Sequence, residues 1–154
     1  MISVTIRLQT DDFDIAAEVE RVRAGADVGA IVTFSGICRD EGGTLAALEL
    51  EHYPGMAEAE IDRIAREAAG RWPVSAFTVI HRHGRIVPGE NIVLVVTASS
   101  HRQAAFEAAS FLMDFLKTRA PFWKKEHAAS GTTDKWVAAK ADDDAAAERW
   151  RRKG

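Results

Sequence analysis

Four short stretches of the chain carry residue types that can do chemistry. Ser99-Ser100-His101-Arg102 follows a β-branched run, and Cys38-Arg39 closes the segment FSGICR. Lys117 precedes the cluster Lys124-Lys125-Glu126, while His81 and His83 stand two residues apart. His101 and Arg102 fall in the first turn of an expected helix. Free backbone N–H groups and the helix dipole favour an anion there, so a phosphate is the natural guest. The bland alternative leaves both side chains in solvent. Arg39 follows a turn opened by Gly36, a usual place to offer a guanidinium to an anion, or else it pairs with Asp40 or Glu41. Lys124 and Lys125 are adjacent ammonium groups beside Phe122 and Trp123. Mutual repulsion and partial burial both lower a lysine pKa and suit it to acid–base work. Lys117, by its spacing alone, is an ordinary solvated cation. Cys38 beside Arg39 allows a thiolate nucleophile, against the commoner role of a lone cysteine as a small core residue. His81 and His83 share a face if one strand holds both, mimicking a metal-ligand pair. No nearby Cys, Asp or third His completes the set, so no metal is expected.

Regular elements must hold these groups in place. Residues 93–96, VLVV, suit a strand buried on both faces. Ser100, with Gln103 three residues later, makes a capping box for the helix that follows. Its apolar stripe is Ala105, Ala108, Ala109, Leu112, Phe115 and Leu116; Gln103, Glu107, Ser110, Asp114 and Lys117 form the polar one. Pro121 ends this helix, and residues 122–126 are expected to be a lysine-bearing loop. Towards the N-terminus, residues 2–8 alternate as a strand, and Thr10-Asp11-Asp12 offers caps for a helix over 13–23. Residues 30–34 form a strand running on into 35–39, with 45–52 as its hairpin partner across a polar loop at 40–43. A helix over 56–71 turns Ile61, Ile64, Ala65 and Ala68 inward. Strands are expected at 76–86, 91–98 and 135–139, and a last helix at 142–150, with three aspartates at its positive end. Strands and helices mixed in this order suit an α+β, two-layer domain with a mixed or antiparallel sheet, one domain over residues 1–154.

Composition narrows the function classes. A hydrophobic fraction of 47% with 28% charged residues is that of a soluble protein long enough to bury a core. A net charge of −3 argues against a nucleic-acid module, which needs a broad basic face. The single cysteine permits no internal disulfide. With neither a signal-peptide core nor an apolar run of membrane-spanning length, the expected location is cytoplasmic, with no membrane partner.

Taken together, FSGICR at 34–39, LEHYPGM at 50–56, SSHR at 99–102 and LKTRAPFWKKE at 116–126 resemble the large, catalytic subunit of molybdopterin synthases. The likeness spans residues 29–150. It implies an α/β-hammerhead fold and an enzyme that converts cyclic pyranopterin monophosphate into dithiolene-bearing molybdopterin. Sulfur would come from the thiocarboxylated Gly-Gly tail of a small ubiquitin-like carrier subunit, so no cofactor, metal or protein nucleophile is implied. Carried over by position, the substrate pocket falls on Ile37, Cys38, Arg39, His101, Arg102, Lys117, Lys124, Lys125 and Glu126. Arg39, His101 and Arg102 would hold phosphate; Lys117 and Lys124 would carry the acid–base and charge-stabilising roles. Two departures stand out: Cys38 replaces an aliphatic residue, and Lys140 replaces an arginine, losing a bidentate contact. On one straight helix His101 and Lys117 lie roughly 24 Å apart, too far to grip one small pterin. The expectation is therefore a symmetric homodimer, within a heterotetramer, in which one subunit's lysines face the other's His101 and Arg102. The competing readings are a non-catalytic pterin- or nucleotide-binding module and a thiol enzyme working through Cys38.

Overall fold

The VLVV run lies where its composition requires, at the centre of a sheet covered on both faces. The computed structural model describes residues 2–25, 27–130, 134–137 and 141–151, with 134–137 and 141–144 as backbone only. In chain order the elements are β1 (Ser3–Gln9), α1 (Ile15–Arg23), β2 (Ala30–Ile37), β3 (Leu45–His52), α2 (Met56–Arg71), β4 (Val74–Arg82), β5 (Gly84–Ile86) and β6 (Asn91–Ser99). They continue as α3 (Arg102–Thr118), β7 (Phe122–Ala128), β8 (Asp134–Val137) and α4 (Ala141–Glu148). The strands form two four-stranded sheets, one ordered β1-β4-β6-β2 and the other β5-β3-β7-β8. The first is mixed, since β1 runs parallel to β4 while the other neighbours are antiparallel. The second is wholly antiparallel. The α+β class with mixed and antiparallel pairing is thus as expected.

Period-two alternation divides the first sheet's side chains between two cores. Phe77, Val79, Val93 and Val95 pack against the inner faces of α2 and α3, where Ile61, Ile64, Ala65, Ala68 and Leu112 are buried. Ala76, Ile80, Leu94, Val96 and Ala98 face the other way, against Val22 of α1. A third cluster of Cys38, Leu45, Leu48, Leu50 and Ile86 fills the space under the second sheet. Gly84 joins the two sheets: its φ of 83° is open to glycine, and it turns the chain from β4 into β5. Residues 76–86 are therefore two strands in different sheets rather than one.

Other expectations shift for tertiary reasons. Strand β3 does not pair with β2; it lies between β5 and β7, in the other sheet. Residues 122–126 are no loop but the start of β7, paired with β3 from His52↔Phe122 to Leu45↔Ala128. The cap of α1 is Asp14, whose carboxylate accepts from the Ala17 N–H at 3.2 Å. Ser100 does not cap α3, because its hydroxyl donates to the Asp27 carboxylate at 2.9 Å; the cap position falls to His101. Nor is the polar stripe of α3 simply solvated. Arg149, just after α4, donates to Ser110 and to Asp114, tying the C-terminal helix down.

Candidate functional site

Helix α3 and strand β2 act as rulers along the molecule, and they agree. With 16 steps of about 1.5 Å between them, His101 and Lys117 stand roughly 24 Å apart at opposite ends of one helix. Strand β2 runs beside β6 from Ala30↔Ser99 to Ile37↔Asn91, a span on the order of 25 Å. Cys38 and Arg39, just past its end, therefore lie at the opposite end of the sheet from Ser100-His101. Within one chain the predicted residues separate into two groups. Arg39, Lys117 and Lys124 belong to the end where the two sheets meet. His101 and Arg102 sit exposed at the other end, at the start of α3.

Strand geometry sorts the cluster at 124–126. Partners across the ladder share a face, so Lys124, opposite Leu50, and Glu126, opposite Leu48, lie on the face that covers the third core. Lys125, opposite Glu49, lies on the other face with Trp123. The expected trio is thus split, and Lys125 points away from Lys124.

Cys38 is anchored by backbone bonds on both sides, its N–H to the Glu90 carbonyl and its carbonyl to the Gly89 N–H. Its side chain is 2% exposed. Burial pushes the thiol above its ordinary range, partly opposed by a hydrogen bond from the Leu48 backbone and by the nearby Lys124 ammonium. A thiol held protonated is a poor nucleophile, so the thiolate reading of Cys38 loses its basis. The influence of Lys124 on Cys38 brings that lysine close to the Cys38-Arg39 turn. Asp40 is engaged within the turn that follows, accepting from the Gly42 and Leu45 N–H groups.

The histidines do something the sequence did not suggest. Strand β4 ends at Arg82, between His81 and His83, so the two are not a ligand pair on one strand. His83 meets His52 of β3, ring centres 4.5 Å apart. Burial lowers the His83 pKa, and His52 lowers it further, with Glu58 opposing. His81 stacks on Phe122 of β7 at 4.0 Å and 15°. Burial pushes the His81 pKa down to about 4, and the charges of Lys117, His52 and His83 act in the same direction. Lys117 is thereby placed near these rings. Neither His52 nor the His81–Phe122 stack is marked in the sequence, because residues 122–126 mix aromatics with charges on both faces and carry no clear strand period. Among the described residues no group of three His, Cys, Asp or Glu side chains could hold a metal ion. Lys140 lies outside the described residues.

Arg39 is a candidate anion contact at this end, and Lys117 and Lys124, on different elements, are candidate proton-transfer groups near the buried His81 imidazole, whose pKa burial lowers. Comparisons with known proteins place the chain in a family. The family model described as "MoaE protein" matches residues 8–119. A protein of Mesorhizobium japonicum named molybdopterin synthase catalytic subunit is 66% identical over 152 residues, covering 98% of this chain and 96% of that one. One of the same name from Rhizobium meliloti is 67% identical over 151 residues, covering 97% of each. Among solved structures, a molybdopterin biosynthesis MoaE protein from Burkholderia ambifaria superimposes with a TM-score of 0.82 at 50% identity, covering 96% of this chain and 98% of that one. A fold, a near-complete alignment and a family model that all coincide leave one conclusion: the chain belongs to the MoaE protein family.

Proposed function

We propose that this chain is the catalytic subunit of a molybdopterin synthase, converting cyclic pyranopterin monophosphate into molybdopterin with sulfur from a thiocarboxylated carrier subunit. The observation that carries this reading is that Arg39, in the turn after β2, Lys117, on α3, and Lys124, on β7, fall at the same end of the molecule, where the two sheets meet. The substrate's cyclic phosphate and the carrier's thiocarboxylate are both anions. As sulfur adds to the pterin and the phosphodiester ring opens, charge develops that cations can stabilise and protons must move. Lys117 and Lys124 are the proposed groups, with Arg39 holding phosphate and Ile37, Cys38 and Glu126 lining the same end. The carrier's tail supplies the sulfur, so the protonated thiol of Cys38 needs no part in it.

His101 and Arg102 enter through a second copy. Edge strand β2 leaves Phe34 and Ile37 41% and 53% exposed, and Phe106 of α3 is 61% exposed. An exposed edge strand with apolar side chains is a surface built to be covered. A symmetric dimer across it would bring the first turn of one α3 towards the lysine end of its partner, and one carrier per protomer would complete a heterotetramer. No described helix is long and apolar enough to cross a membrane. A cytoplasmic place belongs to the same reading.

The test is a single-turnover reaction with cyclic pyranopterin monophosphate and thiocarboxylated carrier, comparing the parent with Lys117→Ala. The parent should form the dithiolene product. The variant should bind the pterin within about threefold yet react at least about 100-fold more slowly. Tight binding by the parent without product would replace the synthase with a non-catalytic pterin-binding module.

A further inference from the structure

The two lysines proposed for catalysis are carried by different layers. Lys117 belongs to α3, which packs on the first sheet, whereas Lys124 belongs to β7 of the second. Packing across the sheet junction has to hold the two ammonium groups at a fixed separation. The ring contact that spans it directly is the parallel stack of His81, on β4, against Phe122, on β7. Phe122 opens β7 and lies two residues before Lys124 on the same face, so a shift of the strand backbone at Phe122 is shared by the lysine.

His81 is well suited to act as a fixed surface. A carbonyl can only accept, so the 2.9 Å contact between Nδ1 and the Arg82 carbonyl places the ring proton on Nδ1 and settles the tautomer. Arg82 is itself clamped, donating to the Thr10 and Asn91 carbonyls from a side chain that is almost fully buried. Burial lowers the ring's pKa to about 4, so near pH 7 the ring is neutral and its face is not rehydrated by a charge.

We propose that His81 is a positioning residue for this reaction: by stacking on Phe122 it sets the course of β7 and thereby the separation of Lys124 from Lys117. The inference rests on the synthase reading for the roles of the two lysines. It differs from a proton relay through His81, in which the ring nitrogens rather than the ring face would matter.

The experiment compares His81→Ala, which removes the face, with His81→Phe, which keeps a face and removes both nitrogens. Two readouts are taken on the full chain: single-turnover rate with pterin affinity, and amide hydrogen exchange of residues 122–126. His81→Ala should slow turnover on the order of 30-fold with affinity changed less than about threefold, and exchange of the 122–126 amides should rise at least about tenfold. His81→Phe should restore both to within about threefold of the parent. Unchanged exchange in His81→Ala overturns the proposal whether or not any form turns over. Restored exchange in His81→Phe without restored turnover also overturns it, in favour of chemistry at the nitrogens. An inactive parent whose exchange follows the expected pattern would instead overturn the synthase reading alone. Should His81→Ala fail to fold, His81→Gln, which keeps a donor toward Arg82 but no aromatic face, supplies the same contrast.

Discussion

Acid should destabilise this protein through His81 in a pH window that can be isolated. The imidazole is buried, which disfavours its charged form; the Arg82 carbonyl at Nδ1 opposes this in part, and the charges of Lys117 on α3, His52 on β3 and His83 beyond β4 add to the lowering. Its pKa is about 4 in the fold against 6.5 for an ordinary histidine. Between those values the unfolded chain binds a proton that the folded chain refuses. Unfolding therefore takes up protons, and stability rises with pH through the window. The contribution is fully present above pH 6.5 and lost as pH falls towards 4. In free energy the gap amounts to about 3 kcal/mol, of which about 1 kcal/mol is lost at pH 6 and about 2 kcal/mol at pH 5. His81→Phe keeps the ring stack but cannot take up a proton, so its stability should lack this limb. Urea unfolding of both proteins at pH 7, 6 and 5 measures the difference directly, because the effects of His83 and the carboxylates are common to both. Asp12, whose pKa is lowered by its bonds to Asn91 and Phe13 and by Arg82 despite burial, loses its contribution only below its ordinary 3.8, outside the window. Parallel curves for parent and variant from pH 7 to 5 would refute the neutral, buried state of His81.

Three further outcomes are expected. Lys124→Ala should cut single-turnover rate by about 100-fold while Lys125→Ala, on the opposite face of β7, stays within about threefold; equal losses would contradict the strand assignment. Gly29→Ala would place a Cβ 2.3 Å from the Ser100 carbonyl oxygen. The Gly29 N–H also donates to the Ser99 carbonyl, so the backbone has no easy retreat, and thermal or urea unfolding should show a loss of about 2–4 kcal/mol. Cys38→Ala should keep turnover within about threefold, since the thiol is not the nucleophile. The same substitution should flatten an alkaline limb in urea titrations. The folded thiol holds its proton above the ordinary 9.0 while the unfolded one releases it, so parent stability falls as pH rises past 9.

Much of this was legible in the residues, and the failures have physical causes. Helix α2 was readable from end to end, because its inward face of Ile61, Ile64, Ala65 and Ala68 follows helical period and Trp72-Pro73 stops it. The VLVV strand and the buried face of α3 were equally plain. What local pattern could not supply was partnership. Ser100 has the chemistry of a cap, but its hydroxyl is taken by Asp27, which comes from a distant segment. Strands β2 and β3 are adjacent in sequence, yet β3 pairs with β7, more than seventy residues on, because its apolar face belongs to a different core. Residues 122–126 alternate in face while mixing aromatics with charges on both sides, so hydrophobic period is weak there and only the ladder with β3 reveals a strand. At the proposed site, Arg39 and Lys124 stand out by residue type and neighbours, whereas Lys117 is marked only by the family resemblance. The separation of Lys124 from Lys125, and the stack that holds Phe122, required three-dimensional pairing.

The length of α3 has a consequence in genetic terms. A single helix carries Arg102 at one end and Lys117 at the other, and in the proposed symmetric dimer those ends serve different sites. An allele damaged only at Arg102 and one damaged only at Lys117 would each be silent when expressed alone. Expressed together they would form mixed dimers in which one site inherits both lesions and the other none. Two alleles damaged at the same end could never rescue each other. The unit on which selection acts at this locus is then the pair of subunits rather than the single chain, and apparent recessiveness of a mutation depends on which end of the helix it strikes.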